Sequence, residues 1–276
     1  MTGARASDGT LTLMAVHAHP DDEAISTGGI LARYSAEGVR TVLVTCTNGE
    51  QGDDAGGVKP GEGEHDPEEV AGRRIAELRQ SVRLLGVSDL ELLGYRDSGM
   101  DGWAANGDPG VFCNVPLEDA AEKLAALMRR YRPQVVVTYD DNGGYGHPDH
   151  IQAHRVTMAA AGSTGIPAKL YYTAFPKSSF AEMRLRLQEA GLDVEEFGLT
   201  GDFGTPDELV TSVVDVSGYV AQKREALFAH ASQAANFGFF TKLPEDIVAA
   251  GLSRESFTWH GAPVGTSEDD LLAGLR

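Results

Sequence analysis

The chain has 276 residues, 42% hydrophobic and 23% charged, a composition that excludes intrinsic disorder and supplies enough apolar material for one domain with a sizeable core. Its 41 acidic residues against 23 Lys and Arg leave a formal net charge of −18, so the average surface repels phosphate backbones and argues against nucleic acid as a partner. Two cysteines, Cys46 and Cys113, are too few for a disulfide framework, Met1 to Thr10 lacks the pattern of a secretory signal, and no apolar stretch has membrane-spanning length; the expectation is a cytoplasmic protein.

Leu11 to Val16 is a short apolar run ending at His17 and His19, the pattern of a buried parallel strand whose C-terminal end opens into a polar site. Helical spacing from Asp22 to Glu37, closed by Gly38, leads into a second strand over Val39 to Cys46 and completes a βαβ unit. Asn48 to Asp66 is rich in Gly, Asp and Glu without a hydrophobic period, which predicts a long mobile loop able to serve as a lid. Asp66 then caps a helix with Pro67 at its first position, Glu69 three residues after the cap, and Ile75, Leu78, Val82 and Leu85 as its buried stripe.

Leu90 to Leu93 reads as a third strand and Tyr95 to Asn114 as a second irregular stretch. Ala121, Leu124, Met128 and Tyr131 share one face of a helix that Pro133 stops. Gln134 to Tyr139 is a fourth strand, Pro148 to Ala161 a helix, and Lys169 to Thr173 a fifth strand. This alternation predicts a Rossmann-like α/β fold, a doubly wound and mostly parallel sheet. From Ala174 onward the periodicity weakens, except for a helix near Ser217 to Ala231, and this C-terminal extension is expected to pack beside the sheet and shape a cleft.

His19-Pro20-Asp21-Asp22 follows the first strand and His147-Pro148-Asp149-His150 the fourth, each with a proline suited to a first helical turn. In the strand order 3-2-1-4-5 these strands are neighbours and their connections diverge, which opens a ligand crevice and sets the two motifs face to face. A helix start capped by Asp explains either tetrapeptide alone. Two copies at corresponding strand ends, the second introduced by Gly143-Gly144-Tyr145-Gly146, point to a metal centre. Together they offer three histidines and three aspartates, the donor types that a divalent ion such as zinc accepts, and a catalytic site needs only three of them. The spacing of three puts His19 and Asp22 on one side of a helical first turn, and His150 can approach across the crevice.

Ala18-His19-Pro20-Asp21-Asp22-Glu23 and the segment Asn142 to His150 resemble the signature of the LmbE-like, or PIG-L, family of N-acetylglucosaminyl deacetylases. The likeness runs over most of Leu11 to Leu170, with Arg96-Asp97-Ser98-Gly99-Met100 and Ala229-His230-Ala231-Ser232-Gln233 as further similar patches. Within the family the chain is most similar to the actinobacterial mycothiol deacetylases and mycothiol-conjugate amidases. The resemblance implies a hydrolase that removes an N-acyl group, above all acetyl, from a glucosamine-containing small molecule. It implies zinc, or iron(II) in the cell, on His19, Asp22 and His150, with Asp21 as the general base that activates water. It further implies His147 as a cation or an acid near the leaving nitrogen, Asp149 as the residue that orients His147, and Tyr145 as a stabiliser of the oxyanion. Arg74 and Asp97 match positions that hold sugar hydroxyls.

His154, one turn beyond His150, His65 in the acidic loop and His17 beneath the site fall outside the implied ligand set, while His230 is a candidate for contacting substrate. Cys46 has no readable Cys-His pairing and is assigned to packing. Ser26 resembles the deacetylases and Phe112 to Glu118 the conjugate amidases, so both readings stand. A nucleotide-binding oxidoreductase, the rival for this fold, lacks its fingerprint, because His-Ala-His-Pro-Asp-Asp stands where a dinucleotide site needs glycines. A non-catalytic sugar-binding protein would leave Asp21 and His147 without a purpose.

Overall fold

β1 (Thr12–His17) is buried along its whole length, and its side chains divide between two cores. Leu13 and Ala15 join Ile30, Leu43, Leu78 and Tyr171 on one face, while Met14 and Val16 join Val42, Val44, Leu124 and Val156 on the other. A strand covered on both faces has no polar side to show, which is why this run lacks alternation in the sequence.

The computed structural model describes residues 9–197, 201, 204–234 and 243–276. After β1 come α1 (Asp22–Ser26), α2 (Gly28–Ala36), β2 (Arg40–Thr47), α3 (Pro67–Leu85), β3 (Asp89–Tyr95), α4 (Leu117–Tyr131), β4 (Val135–Thr138) and the distorted turn α5 (Gly143–Gly146). The chain continues through α6 (Pro148–Thr164), β5 (Lys169–Ala174), α7 (Lys177–Glu189), β6 (Ser212–Asp215), α8 (Val220–Ala229), α9 (Glu245–Leu252) and β7 (Arg254–Trp259). The sheet order is β3-β2-β1-β4-β5-β7-β6. Its first five strands are parallel, in the order expected from the sequence. No helix among the described residues is long and apolar enough to cross a membrane.

Two expectations need correction. The C-terminal extension does more than pack beside the sheet: β7 pairs antiparallel with β5, Tyr171 opposite Trp259, and β6 pairs antiparallel with β7. The helix expected over Asp22 to Glu37 is divided at Thr27 (φ −139°), whose hydroxyl meets His17 Nε2 at 2.8 Å and donates to Glu23 O at 3.1 Å. The restart at α2 is capped from far away, by the Glu255 carboxylate accepting the N–H groups of Gly29 and Ile30 at 2.8 Å each. A Cβ on residue 29 would lie 2.5 Å from Val216, so only glycine admits this approach.

Helix α3 follows its local chemistry. The Asp66 side chain accepts from the N–H groups of Glu68 and Glu69 at 2.9 and 3.2 Å, Pro67 opens the helix, and Gly86 (φ 70°) closes it in the left-handed region. Strands β1 and β4 pair directly, Leu13 opposite Val135. Ile30 and Leu31 of α2 pack in one core, and Ala153, Val156 and Ala160 of α6 in the other, so the connections leave toward opposite faces. The crevice between these two strand ends is where the tetrapeptides meet.

Candidate active site

His19 stands in the turn after β1 and His150 in the first turn of α6, and both are buried. Each has one ring nitrogen committed to an acceptor. His19 Nε2 lies 3.2 Å from Asp149 Oδ2 and 3.5 Å from Asp97 Oδ1, and His150 Nδ1 lies 3.1 Å from Gly143 O, so these are the nitrogens that donate a proton, in the tautomer that suits a metal ligand. The remaining two, His19 Nδ1 and His150 Nε2, are 3.2 Å apart, and each is 3.4 Å from Asp22 Oδ2. Three lone-pair atoms thus converge with their protons directed elsewhere, an arrangement that calls for a cation. Zinc bonds of about 2.0 to 2.1 Å in tetrahedral geometry put neighbouring ligand atoms about 3.3 Å apart, close to these distances. His19, His147 and His150 form one group of donors able to hold a metal ion, and His19, Asp97 and Asp149 form another.

The electrostatics agree. Burial alone would keep His19 neutral, but Asp97, Asp149 and Asp22 hold its pKa well above the ordinary histidine value, so the carboxylates favour positive charge at this ring, which a metal cation at Nδ1 would supply in place of a second proton. The separation of three residues brings His19 and Asp22 together through the turn that leads into α1, with His19 N–H donating to Asp22 Oδ2 at 2.8 Å. Gly143 (φ 64°) makes room for His150: a Cβ there would lie 2.6 Å from the His150 Cβ.

Several groups at this cluster were not singled out from sequence. The Tyr139 hydroxyl donates to Asp22 Oδ2 at 2.7 Å and accepts Ala18 N–H at 2.8 Å, and its ring stacks on His150 with centroids 4.1 Å apart. Its place just past the fourth strand, level with the first tetrapeptide, was the available signal. Ser98 gives its N–H to Asp149 Oδ2 at 2.8 Å and its hydroxyl to Asp149 Oδ1, so the carboxylate that holds His19 is itself held. Ser98 lies inside the patch Arg96 to Met100, whose resemblance pointed at the segment without pointing at this residue.

The carboxylate of Asp149 therefore serves His19, which corrects the expectation that it orients His147. Asp149 reaches His147 through its backbone instead, donating N–H to Nδ1 at 3.1 Å. A ring nitrogen that accepts leaves the proton of the neutral ring on Nε2. Burial, with His19 and His150 nearby, lowers the His147 pKa to about 3. Of the two roles expected for His147, the cation gives way to a neutral N–H donor. Tyr145, 63% exposed, stands at the rim with its ring 5.1 Å from that of His150 and 6.1 Å from that of His147.

Asp21 has φ 120° and ψ −30°, a conformation that side-chain-bearing residues keep only when their surroundings impose it. Arg74 of α3 is buried and gives Nη2 to Pro20 O at 2.6 Å and to Asp21 Oδ2 at 3.0 Å, and Nη1 to Gly49 O at 2.7 Å. Its two terminal nitrogens, expected at a sugar hydroxyl, are thus turned to the strained turn and the loop after β2. Burial raises the Asp21 pKa to about 6 against the pull of Arg74, which leaves a carboxylate ionised at neutral pH and basic enough to accept a proton. Asp97 accepts Gly99 N–H at 2.8 Å and stands between His19 and Arg74, 3.5 and 3.9 Å away.

The loop expected to be mobile is tied down at its start. Besides Gly49, Gly52 O meets His65 Nε2 at 2.9 Å, and Asp53 O accepts from Gln233 at 2.9 Å. His154 meets Tyr139 O at 2.9 Å, and Cys46 is buried in the core. His230, a candidate for contacting substrate, is instead wholly buried with Nε2 2.7 Å from Glu23.

A model of the family described as PIG-L, GlcNAc-PI de-N-acetylase, matches residues 14–161. The chain belongs to this family. It is 44% identical over 278 residues to the 1D-myo-inositol 2-acetamido-2-deoxy-alpha-D-glucopyranoside deacetylase of Acidothermus cellulolyticus, across 96% of this chain and 95% of that protein. It is 45% identical over 269 residues to the protein of the same name from Thermobifida fusca, across 89% and 91% of the two chains. Among solved structures, the N,N'-diacetylchitobiose deacetylase from Pyrococcus horikoshii shares the fold with a TM-score of 0.56 at 20% identity, over 90% of this chain and 83% of that one. This PIG-L family member is an enzyme, an N-deacetylase that hydrolyses the amide bond of a glucosamine-containing molecule.

Proposed function

We propose that the chain removes the acetyl group from an N-acetylglucosaminyl inositol, the compound for which the Acidothermus and Thermobifida relatives are named, using zinc or iron(II) held by His19 Nδ1, Asp22 Oδ2 and His150 Nε2. The observation that carries the metal assignment is the triangle of those three atoms, with edges of 3.2 to 3.4 Å and each histidine proton committed elsewhere. A bound ion would supply Lewis acidity, acidifying water and polarising the amide carbonyl.

The remaining steps belong to the protein. Asp21, adjacent to a ligand yet turned toward Arg74, takes a proton from the attacking water. It keeps that proton until the C–N bond breaks, and the amine leaves with it as the carbonyl carbon becomes acetate. His147 presents Nε2–H on the side of the leaving nitrogen. Tyr145, on its glycine-rich turn at the rim, brings a phenol toward the carbonyl oxygen as negative charge develops there. Asp97 lies on the sugar side, while Arg74 holds the turn that carries Asp21.

The relatives' names favour deacetylation over hydrolysis of a mycothiol conjugate, and an assay separates the two. Zinc-loaded protein should release acetate and free amine from N-acetylglucosaminyl inositol, lose this activity to a chelator, and regain it with zinc or iron(II). Faster turnover of a mycothiol-type thioether would transfer the reading to conjugate amidase, and full activity without metal would remove the metal from the mechanism.

A further inference from the structure

Glu23 ends the signature Ala18 to Glu23, is fully buried, and contacts none of the groups assigned above to metal or substrate other than the backbone of Asp21. Three donors surround its carboxylate. Oε2 accepts the Asp21 N–H at 3.0 Å, while Oε1 accepts the Ser81 hydroxyl at 2.5 Å and faces His230 Nε2 at 2.7 Å. Ser81 belongs to α3 and His230 follows α8, so two elements remote in sequence converge on one side chain.

The bond to Asp21 has a partner on the other side of the same peptide. Pro20 O and Asp21 N belong to one peptide unit, and Arg74 holds the oxygen at 2.6 Å while Glu23 holds the N–H at 3.0 Å. That unit leads into the residue with φ 120°, where an ordinary side chain would relax unless the peptide plane were fixed. Charge-assisted bonds to a buried carboxylate supply that fixation. Because the direction of Cβ follows from the backbone, fixing the plane also fixes where the Asp21 carboxylate points.

We propose that Glu23 is a positioning residue: aimed by His230 and Ser81, it grips the Pro20–Asp21 peptide opposite Arg74 and so points the Asp21 carboxylate at the water it deprotonates. The inference rests on Asp21 being the base. A bond from a helical glutamate to the N-cap N–H also occurs in ordinary helix capping, which adds to stability alone. The two roles differ in what they do to an enzyme that has already lost its base.

The test measures kcat, KM and metal per chain for full-length, zinc-loaded Glu23→Leu and Glu23→Gln, each alone and combined with Asp21→Asn. Glu23→Leu should lower kcat about a hundredfold, as misplacement of a catalytic group does, with KM and metal per chain unchanged. Gln keeps an oxygen that can accept the Asp21 N–H and should recover about tenfold of that loss. On the Asp21→Asn background, Glu23→Leu should cost nothing more. The proposal is overturned if the Glu23→Leu loss multiplies in full with that of Asp21→Asn, if Gln is no better than Leu, or if rate falls in step with metal. Should Glu23→Leu fail to fold, Ser81→Ala takes its place, with about a threefold loss of kcat alone and none beside Asp21→Asn; equal losses in both overturn the proposal. Wild-type turnover in Asp21→Asn alone would overturn the base assignment and the positioning role together. Collapse of Asp21→Asn with a multiplicative Glu23 effect overturns only the positioning role.

Discussion

The two His-Pro-Asp tetrapeptides share three residues of four and fold differently. In the second copy, His147 is an ordinary N-cap whose side chain accepts from Asp149 N–H, Pro148 takes the first helical position, and α6 runs on to Thr164. In the first copy, Pro20 lies ahead of the cap, Asp21 makes no side-chain capping bond, its φ is 120°, and α1 ends after five residues. The third residues diverge accordingly. Asp149 turns to His19 and Ser98, whereas Asp21 turns to Arg74. A motif that can serve as a helix cap is used as one at His147, and the copy that forgoes the cap carries the strain and the residue proposed as the base.

Gly143→Ala attacks the second copy hardest. A Cβ 2.6 Å from the His150 Cβ and 2.8 Å from Ile151 N, at φ 64°, should cost about 3 kcal/mol and displace His150, so a urea titration should show lost stability and equilibrium dialysis lost zinc. Stability and zinc affinity as in the wild type would mean that His150 does not depend on this close approach. Asp149→Asn sharpens the contrast with Asp21, because the equivalent position supports His19, a proposed ligand. Zinc affinity should fall about 10- to 100-fold in chelator competition, and unchanged affinity would break the assignment of Asp149 to His19. Asp66→Ala removes the cap of α3 away from the crevice; about 1 kcal/mol of stability should go, with turnover unaffected. A drop in turnover would show that the loop before α3 reports to the site.

Legibility in the sequence followed how local the causes were. β1, β2 and β4 are buried on both faces and read as apolar runs, and α3 carries its cap, proline and terminal glycine within its own length. β6 and β7 are short, only partly buried, and defined by pairing with each other and with β5, so no window over Ser212 to Asp215 or Arg254 to Trp259 contains the reason for a strand. The break at Thr27 is likewise set by Glu255 and Val216, both remote in sequence. Within the site, the histidines and aspartates were visible as donor types at two strand ends. Their partners were not, because whether the Asp149 carboxylate meets His147 or His19, and whether His230 meets substrate or Glu23, depends on directions that only the folded chain establishes.

The most direct measurement is zinc per chain beside turnover for Asp21→Asn and Asp22→Ala. These neighbours are chemically identical, but Asp22 Oδ2 lies 3.4 Å from both histidine nitrogens while Asp21 Oδ2 lies 3.0 Å from Arg74. Asp21→Asn should keep zinc at the wild-type level and lose turnover by about 100- to 10,000-fold, a loss that added metal does not repair. Asp22→Ala should lose most of its zinc and its activity together, with partial recovery in excess zinc. Zinc lost from Asp21→Asn and kept by Asp22→Ala would invert the two roles, and zinc and turnover kept by both would place the catalytic centre elsewhere.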